Sequence, residues 1–232
     1  FESLGLDAGG MSLYLKAGPD GESVGDCPFA QYVRMVLEEK GLEYNVVPAV
    51  QATKPQWLIE FYEGKMPALR HRDECYVESE VIATYLDYFF QEPGLTVKKG
   101  AKEAEEAVDG FFPSVAKYLK HTPDGDEVDT ELKEGLAASL GRLEAHLTKE
   151  GRTGPFLVGD GEKVALQDCA LAPKLYHMTV GLKMFKDNAL DVAKDFPTVQ
   201  KYIDTMFARE SFAKSTYPEE TVAWGWGNAR GK

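Results

Sequence analysis

The sequence predicts an α/β domain followed by an all-α domain. Strand-like and helix-like patterns alternate in the first part of the chain, and the strand-like patterns fade after about residue 100. Pro93 and Gly94 end the last helix-like pattern of the first part and introduce a short connecting segment. We therefore expect one domain over residues 11–93, a linker near 93–102 and an all-helical domain over residues 102–232.

The predicted order of elements in the first domain is β-α-β-α-β-β-α. Alternating apolar residues over 11–16 indicate a half-buried strand, and a loop rich in Gly, Pro and Asp follows over 18–26. Pro28 suits the first turn of a helix, whose apolar spacing continues to Lys40-Gly41. The later elements are predicted as a strand at 44–47, a short helix at 57–62, a hairpin joining 68–71 to 76–77, and a helix with Ser79 as its N-cap.

Apolar residues at helical spacing continue through the second domain and predict four helices there. The tail from Tyr217 carries Trp224 and Trp226 and is left without a predicted element. The four helices are expected at 108–119, with Pro113 as a kink, and at 132–147, 166–178 and 199–207.

Composition excludes several classes of function. The net charge of −12 argues against nucleic acid or an anionic membrane as a partner, because such surfaces need clustered Lys and Arg. No apolar run approaches the roughly 20 residues of a transmembrane helix. The three Cys are widely spaced and the four His are scattered, so we expect a reducing intracellular compartment and neither a disulfide framework nor a metal site.

Cys27 is the leading candidate for a reactive group. It follows the Gly-rich loop and precedes Pro28, so its sulfur should lie at the start of a helix, where amide groups and the helix dipole stabilise a thiolate. Thiol pKa values at such positions fall to roughly 3.5–7.5, and we therefore expect Cys27 to be largely ionised at neutral pH. The neighbouring Asp26 opposes ionisation. A buried structural Cys is the competing interpretation, and position alone does not separate the two.

The residue three positions after Cys27 is Ala30, where many redox motifs have a second Cys. A site with a single thiol can react once but has no internal group that restores it. An outside thiol must therefore complete any redox cycle at Cys27.

Other candidate residues each have a common structural explanation as well as a functional one. Met66-Pro67 precedes a strand, and Pro leaves neighbouring backbone groups free to bind a ligand. Glu78-Ser79 begins a helix, where an amino-acid carboxylate binds well, although an ordinary helix cap explains the pair too. Lys16 and Lys54 read in isolation as surface cations, and His177 as a packed helical side chain.

Several segments together resemble the glutathione S-transferase superfamily and, within it, the plant-type dehydroascorbate reductases. The resemblance implies a thioredoxin-like N-terminal domain and a helical C-terminal domain. Glu78 stands where plant members usually carry Asp, a change of one methylene that should preserve the role. The segments that carry the resemblance are 25–29, 37–40, 54–57, 64–67, 171–177 and 223–226.

The resemblance also implies roles for individual residues. It implies glutathione as a co-substrate, no permanently bound cofactor, a monomer, and a location in the cytosol or the chloroplast stroma. Cys27 would be catalytic, Lys54, Met66, Pro67, Glu78 and Ser79 would bind glutathione, and Lys16, Asp26, Phe29 and His177 would surround dehydroascorbate.

The expected reaction is glutathione-dependent reduction of dehydroascorbate to ascorbate, through the Cys27 thiolate and a mixed disulfide with glutathione. An omega-class-like thiol transferase or deglutathionylase is an alternative, because Cys-Pro-Phe occurs there too. A protein like the chloride intracellular channels, which insert into membranes, is an alternative of another class. The run from Ala172 to His177 and the lack of a long apolar segment argue against it. A non-catalytic interaction module would not need a Cys at this helix start.

Overall fold

The protein is described by a computed structural model that covers residues 10–230. Its first domain contains a four-stranded sheet in the order β2-β1-β3-β4, in which β1 pairs parallel with β2 and antiparallel with β3. The strands are β1 (Met11–Lys16), β2 (Asn45–Ala49), β3 (Ala68–His71) and β4 (Glu74–Val77), and the helices between and after them are α1 (Pro28–Glu39), α2 (Gln56–Tyr62) and α3 (Ser79–Phe89).

Strand β1 is buried on both faces, so the prediction of a half-buried strand was wrong in this respect. Leu13 and Leu15 pack into the main core with α1 and α3. Tyr14 points the other way and joins Leu58 of α2 in a second, smaller cluster. The sheet therefore lies between two layers of helix, and its central strand leads directly into the loop that carries Cys27.

The second domain is all-helical, as predicted, but it contains more helices than the apolar pattern indicates. The chain breaks between α4 and α5 at Gly110, which has a φ of 69°, and Pro113 lies in the first turn of α5 instead of forming the expected kink. The helices are α4 (Ala101–Val108), α5 (Phe111–Lys120), α6 (Glu127–Leu147), α7 (Leu166–Phe185), α8 (Val192–Asp195), α9 (Pro197–Phe207), α10 (Glu210–Ser215) and α11 (Glu219–Ala229). No helix in the described range has the length and apolar character needed to cross a bilayer.

Helix α1 connects the two domains, because it packs against α7 and α10 as well as against the sheet. Arg34 donates to the carbonyl oxygens of Lys214 and Ser215 at the end of α10. At the end of α1, the Glu39 carboxylate accepts two hydrogen bonds from the Arg209 guanidinium, at 2.6 and 2.7 Å. These hydrogen bonds hold α1, and with it its N-cap Cys27, against the second domain.

A buried ion pair fixes the start of the interdomain linker. The Lys40 ammonium lies 2.7 Å from the Asp87 carboxylate, and both side chains are almost completely buried. Lys40 also donates to two linker-side carbonyl oxygens, and Asp87 accepts from the amides of Leu95 and Thr96. Burial alone would raise the pKa of Asp87, but these hydrogen bonds outweigh it and lower that pKa.

Candidate active site

Cys27 is the N-cap residue of α1, as the sequence predicts. Its backbone is extended, with φ −78° and ψ 111°, and its carbonyl oxygen accepts the first helical hydrogen bonds, from Ala30 and Gln31 at 3.1 Å. Pro28 occupies the first turn, where its missing N–H costs nothing. Local sequence therefore determines where the sulfur lies: a strand, a Gly-rich loop and a Pro-initiated helix bring it to the end of β1.

The expectation of a low pKa for Cys27 was wrong. Burial raises the pKa of the thiol, and Asp26 raises it further, whereas the amides of Ala30 and Phe29 and the Lys16 ammonium lower it. The sulfur makes no capping hydrogen bond with any group in residues 10–230. The thiol is therefore the major form at neutral pH, and the reactivity of Cys27 depends on the groups that stabilise its thiolate.

Lys16 and Asp26 form an ion pair beside Cys27. The Lys16 ammonium lies 2.6 Å from Asp26 Oδ1, at the point where β1 ends and the loop returns to α1. The Asp26 side chain is mostly buried, whereas about half of the Lys16 side chain is exposed. Lys16 is thus exposed, as its sequence position suggests, but it is paired with Asp26 and not an isolated cation.

His177 lies in the buried part of the same site. Its Nε2 is 2.8 Å from the Tyr217 hydroxyl, and its Nδ1 has no hydrogen-bond partner in the described part of the chain. Burial lowers the pKa of His177 to about 4, although Asp26 opposes this shift. The imidazole is therefore neutral at physiological pH, and it offers a hydrogen bond to a ligand but no charge.

Aromatic side chains surround His177, and sequence analysis did not assign most of them to the site. The rings of Phe112 and Trp226 lie 6.0 and 5.9 Å from the imidazole, and Phe29 stacks edge-on against Phe112 at 5.9 Å. The indole N–H of Trp226 is buried without a partner in the described chain. In the sequence, Trp226 belongs to the tail and to the segment 223–226 that carries the family resemblance, but no local pattern indicates that this tail packs against the loop before Cys27.

A second group of the predicted residues lines a pocket of about 400 Å³ next to α1. Met66 and Pro67, which are joined by a cis peptide bond, form one wall, and Glu78 and Ser79 at the start of α3 form another. Phe29 lies between this pocket and the His177 cluster. The residues that line the pocket are Phe29, Lys65, Met66, Pro67, Glu78, Ser79 and Glu80.

Glu78 adopts an unusual backbone conformation at this pocket. Its φ of 70° is rare for a residue with a side chain, and it places the Ser79 amide at the first position of α3. Glu78 is therefore the N-cap of α3, and the prediction of Ser79 as the cap was wrong by one residue. The Ser79 side chain is buried, whereas the Glu78 carboxylate reaches solvent and lies 3.4 Å from the Lys65 ammonium. A helix N-terminus with a hydroxyl and a nearby carboxylate suits a zwitterion with an amino and a carboxylate group.

Lys54 lies at the edge of this region and not in the pocket wall. Its ammonium is 3.3 Å from the position that a β-carbon would occupy at Gly64, immediately before the Lys65-Met66-Pro67 segment. The side chain is half-buried. Lys54 can therefore reach an anionic group that extends from the pocket.

A larger cavity of about 630 Å³ lies between the two domains, among α3, the α4–α5 junction and α7. Lys174 lines it, and its ammonium lies 5.8 Å from the centre of the Phe29 ring. Burial lowers the pKa of Lys174, and the Glu80 carboxylate opposes this shift. The cavity and the smaller pocket share Glu80, but the residues predicted to bind ligands lie in the smaller pocket and around Cys27.

Comparison with known proteins identifies the family. Residues 23–94 match the model of the glutathione S-transferase N-terminal domain, and residues 74–210 match that of the C-terminal domain. The chain is 34% identical to glutathione S-transferase DHAR2 of Arabidopsis thaliana over 88% of this chain and 90% of that protein. It is 30% identical to the chloroplastic glutathione S-transferase DHAR3 of the same plant, over 97% of this chain and 83% of that protein.

Solved structures agree with this result. The crystal structure of dehydroascorbate reductase from Chlamydomonas reinhardtii superimposes with a TM-score of 0.80 and 26% sequence identity, covering 96% of this chain and 100% of that one. The predicted fold class, an α/β domain of thioredoxin type followed by a helical domain, is confirmed. The chain therefore belongs to the glutathione S-transferase family and, within it, to the dehydroascorbate reductase group.

Proposed function

We propose that the protein reduces dehydroascorbate to ascorbate and oxidises two molecules of glutathione, with Cys27 as the only protein group that forms covalent bonds. The observation that carries this proposal is that residues close to Cys27 in sequence belong to two groups of candidate residues. Phe29 lines the pocket with Met66, Pro67 and Ser79, whereas Asp26 pairs with Lys16 and lies near His177. The names of the similar proteins support the choice of substrates.

In the first step, the Cys27 thiolate adds to a carbonyl carbon of dehydroascorbate. The new C–S bond places negative charge on the former carbonyl oxygen, beside the Lys16 ammonium. The neutral imidazole of His177 and the indole N–H of Trp226 are available as hydrogen-bond partners for the hydroxyl and carbonyl groups of the sugar lactone. No charged group other than the Lys16–Asp26 pair is needed in this step.

In the second step, a glutathione thiolate attacks the Cys27 sulfur. The C–S bond breaks, its electron pair remains with the organic product as the enediolate of ascorbate, and Cys27 becomes a mixed disulfide with glutathione. A second glutathione thiolate then attacks the glutathionyl sulfur, which forms glutathione disulfide and releases the Cys27 thiolate. The sequence needs two external thiols because position 30 is Ala.

Glutathione would occupy the pocket next to α1. The N-terminus of α3 and the Ser79 hydroxyl would hold its γ-glutamyl carboxylate, and Glu78 its amino group. The backbone of Met66, before Pro67, would pair with the cysteinyl amide, and Lys54 would lie near the glycyl carboxylate. In this proposal residues 11–93 form the glutathione-binding domain, and residues 102–232 supply His177 and the aromatic wall.

The cellular setting follows from the same chemistry. Free thiols at Cys27, Cys75 and Cys169 and a need for reduced glutathione suit a reducing compartment, either the cytosol or the chloroplast stroma. The Arabidopsis relative with 30% identity is named as chloroplastic. We propose a monomer, as the resemblance to the dehydroascorbate reductases implies.

The experiment compares Cys27→Ser with Cys75→Ser, since both thiols are free and half-buried. Ascorbate formation from dehydroascorbate and glutathione should be lost in the first variant and retained in the second. Limited exposure of the parent protein to dehydroascorbate and one equivalent of glutathione should add one glutathionyl mass at Cys27. Turnover by Cys27→Ser would overturn the mechanism, and faster turnover of a glutathionylated peptide than of dehydroascorbate would favour the omega-type alternative.

A further inference from the structure

Trp224 makes a contact with the candidate site that the sequence does not indicate. The Lys16 ammonium lies 5.0 Å from the centre of the Trp224 indole, while its other side faces the Asp26 carboxylate at 2.6 Å. A cation within about 6 Å of an aromatic face is attracted by the negative potential of the ring, and Trp is the best aromatic partner. Lys16 is thus placed between a carboxylate and an aromatic face.

The indole is held in place by the way α11 docks. Gly225, the next residue, lies directly against the Asp26 carboxylate, where a β-carbon would overlap its oxygen atoms. At the start of α11, Glu219 accepts from Lys183 at 2.6 Å. Just beyond its end, Arg230 donates to the Leu119 carbonyl oxygen at 2.6 Å and to Asp124 at 2.7 Å.

Lys16 needs such a restraint because of its chemistry and position. Its long flexible side chain is about half exposed, and a lysine in that setting ordinarily samples several rotamers in water. The Asp26 contact alone is an ion pair between one exposed and one mostly buried group. The aromatic face adds a second partner, which leaves the ammonium near Cys27 and not in bulk solvent.

We propose that Trp224 is a positioning residue that fixes the Lys16–Asp26 pair beside Cys27 and thereby sets the affinity of the site for dehydroascorbate. The inference rests on the proposed function. A fixed Lys16 meets the charge that develops on the substrate oxygen, and it also offsets the effect of Asp26, which disfavours the Cys27 thiolate. A mobile Lys16 would leave the influence of Asp26 on Cys27 uncompensated.

The test is a graded series at position 224. Trp224→Tyr and Trp224→Phe keep an aromatic face, whereas Trp224→Leu keeps apolar bulk without one. We expect the KM for dehydroascorbate to rise about two- to fivefold in Trp224→Leu, with intermediate values for the aromatic variants and a smaller change in kcat. The pH midpoint for alkylation of Cys27 by iodoacetamide should rise in the same order.

A double-mutant cycle with Lys16→Met separates a contact to Lys16 from a general effect on packing. In the Lys16→Met background, Trp224→Leu should cause no further change in KM or in the alkylation midpoint. Tyr88→Leu is the matched control, because Tyr88 is an exposed aromatic residue on α3 and should behave as the parent. Thermal unfolding of each variant reports whether α11 remains docked.

Two results would overturn the proposal. One is that Trp224→Leu changes KM and the alkylation midpoint as much in the Lys16→Met background as in the parent. The other is that Trp224→Phe and Trp224→Leu change these two quantities equally. A parent protein with no dehydroascorbate turnover would refute the proposed function instead. The alkylation profiles would still decide whether Trp224 positions Lys16, because they require no substrate.

Discussion

Gly225 of α11 lies against the Asp26 carboxylate with no space for a β-carbon between them. Trp224 and Trp226 flank Gly225 in sequence. The Trp224 indole faces Lys16, and the Trp226 indole faces His177. One close contact between a distant helix and the loop before Cys27 therefore sets the positions of both indoles. The contact depends on the absence of a side chain at position 225.

Gly225→Ala should displace α11 and impair the site. The added methyl group overlaps Asp26, so either the helix or the carboxylate must move. Asp26 and the indoles of α11 belong to the site that we propose for dehydroascorbate. We expect a higher KM for dehydroascorbate and an unfolding free energy lower by about 1–3 kcal/mol, as for overpacked sites. Steady-state kinetics and urea unfolding measure the two effects.

Gly227→Ala is the control for that variant, because a β-carbon at position 227 of the same helix meets no atom within 4 Å. It should leave KM unchanged and raise stability by roughly 0.5–1 kcal/mol, since Ala is the better helix former. If Gly225→Ala and Gly227→Ala had the same KM and the same unfolding free energy, the contact between Gly225 and Asp26 would have no role in the site or in stability.

Ser79→Ala should weaken glutathione binding and leave dehydroascorbate binding unchanged. The Ser79 hydroxyl lies in the pocket wall at the N-terminus of α3, where it would donate to a carboxylate. Loss of a hydrogen bond to a charged group corresponds to roughly a tenfold rise in the KM for glutathione. Thr84→Ala, which removes an exposed hydroxyl from the same helix, should have the kinetics of the parent. A rise in the KM for dehydroascorbate alone would contradict the assignment of this pocket.

His177 should make the fold sensitive to mild acid. Its pKa is about 4 in the folded protein, against 6.5 for an unperturbed histidine. Between pH 4 and pH 6.5 the imidazole therefore binds a proton in the unfolded chain but not in the folded one. This contribution to stability is complete above pH 6.5 and decreases as the pH falls toward 4, by up to about 3 kcal/mol. His177→Gln should therefore show a smaller loss of unfolding free energy between pH 7 and pH 5 than the parent, and an equal loss would exclude His177 as the source.

Lys40→Met should destabilise the protein by about 3–5 kcal/mol in urea unfolding, because it leaves the buried Asp87 carboxylate without its cation. Asp87→Asn in the Lys40→Met background removes that charge and keeps an acceptor for the linker amides. The double variant should therefore be more stable than Lys40→Met alone. If the double variant lost as much unfolding free energy as Lys40→Met and Asp87→Asn lose separately when added together, the pair would not be coupled.

Local sequence was sufficient to predict the elements of the first domain. The Gly-rich loop, Cys27 and Pro28 mark the start of α1 through backbone chemistry. The predicted cap of α3 was wrong by one residue, because Glu78 is the N-cap and Ser79 is the first helical residue. The same reasoning failed for α11, since Gly225 and Gly227 lower its helix propensity and its stability comes from contacts with distant residues. The domain boundaries at 93 and 102 remain a prediction.

The candidate site was predictable only in part, for the same reason. Residue type and position made Cys27, Met66, Pro67 and Ser79 candidates, and the structure brings Met66, Pro67 and Ser79 to one pocket. These residues lie on elements next to one another in sequence or in the sheet. The contacts of Trp224, Trp226 and Tyr217 depend on how the last helices return to α1, which no local pattern reports. The pKa of Cys27 was predicted with the wrong sign because helix position was visible in the sequence and burial was not.

The docking of α11 has a consequence for synthesis on the ribosome. The residues proposed to bind glutathione all lie before position 80, whereas Trp224 and Trp226 leave the ribosome after almost everything else that the structure describes. A nascent chain therefore contains Cys27, Lys16 and Asp26 long before the helix that brings Trp224 to Lys16. During that interval the two indoles do not cover this side of the site, and we expect Cys27 to react faster with thiol reagents in the nascent chain than in the complete one.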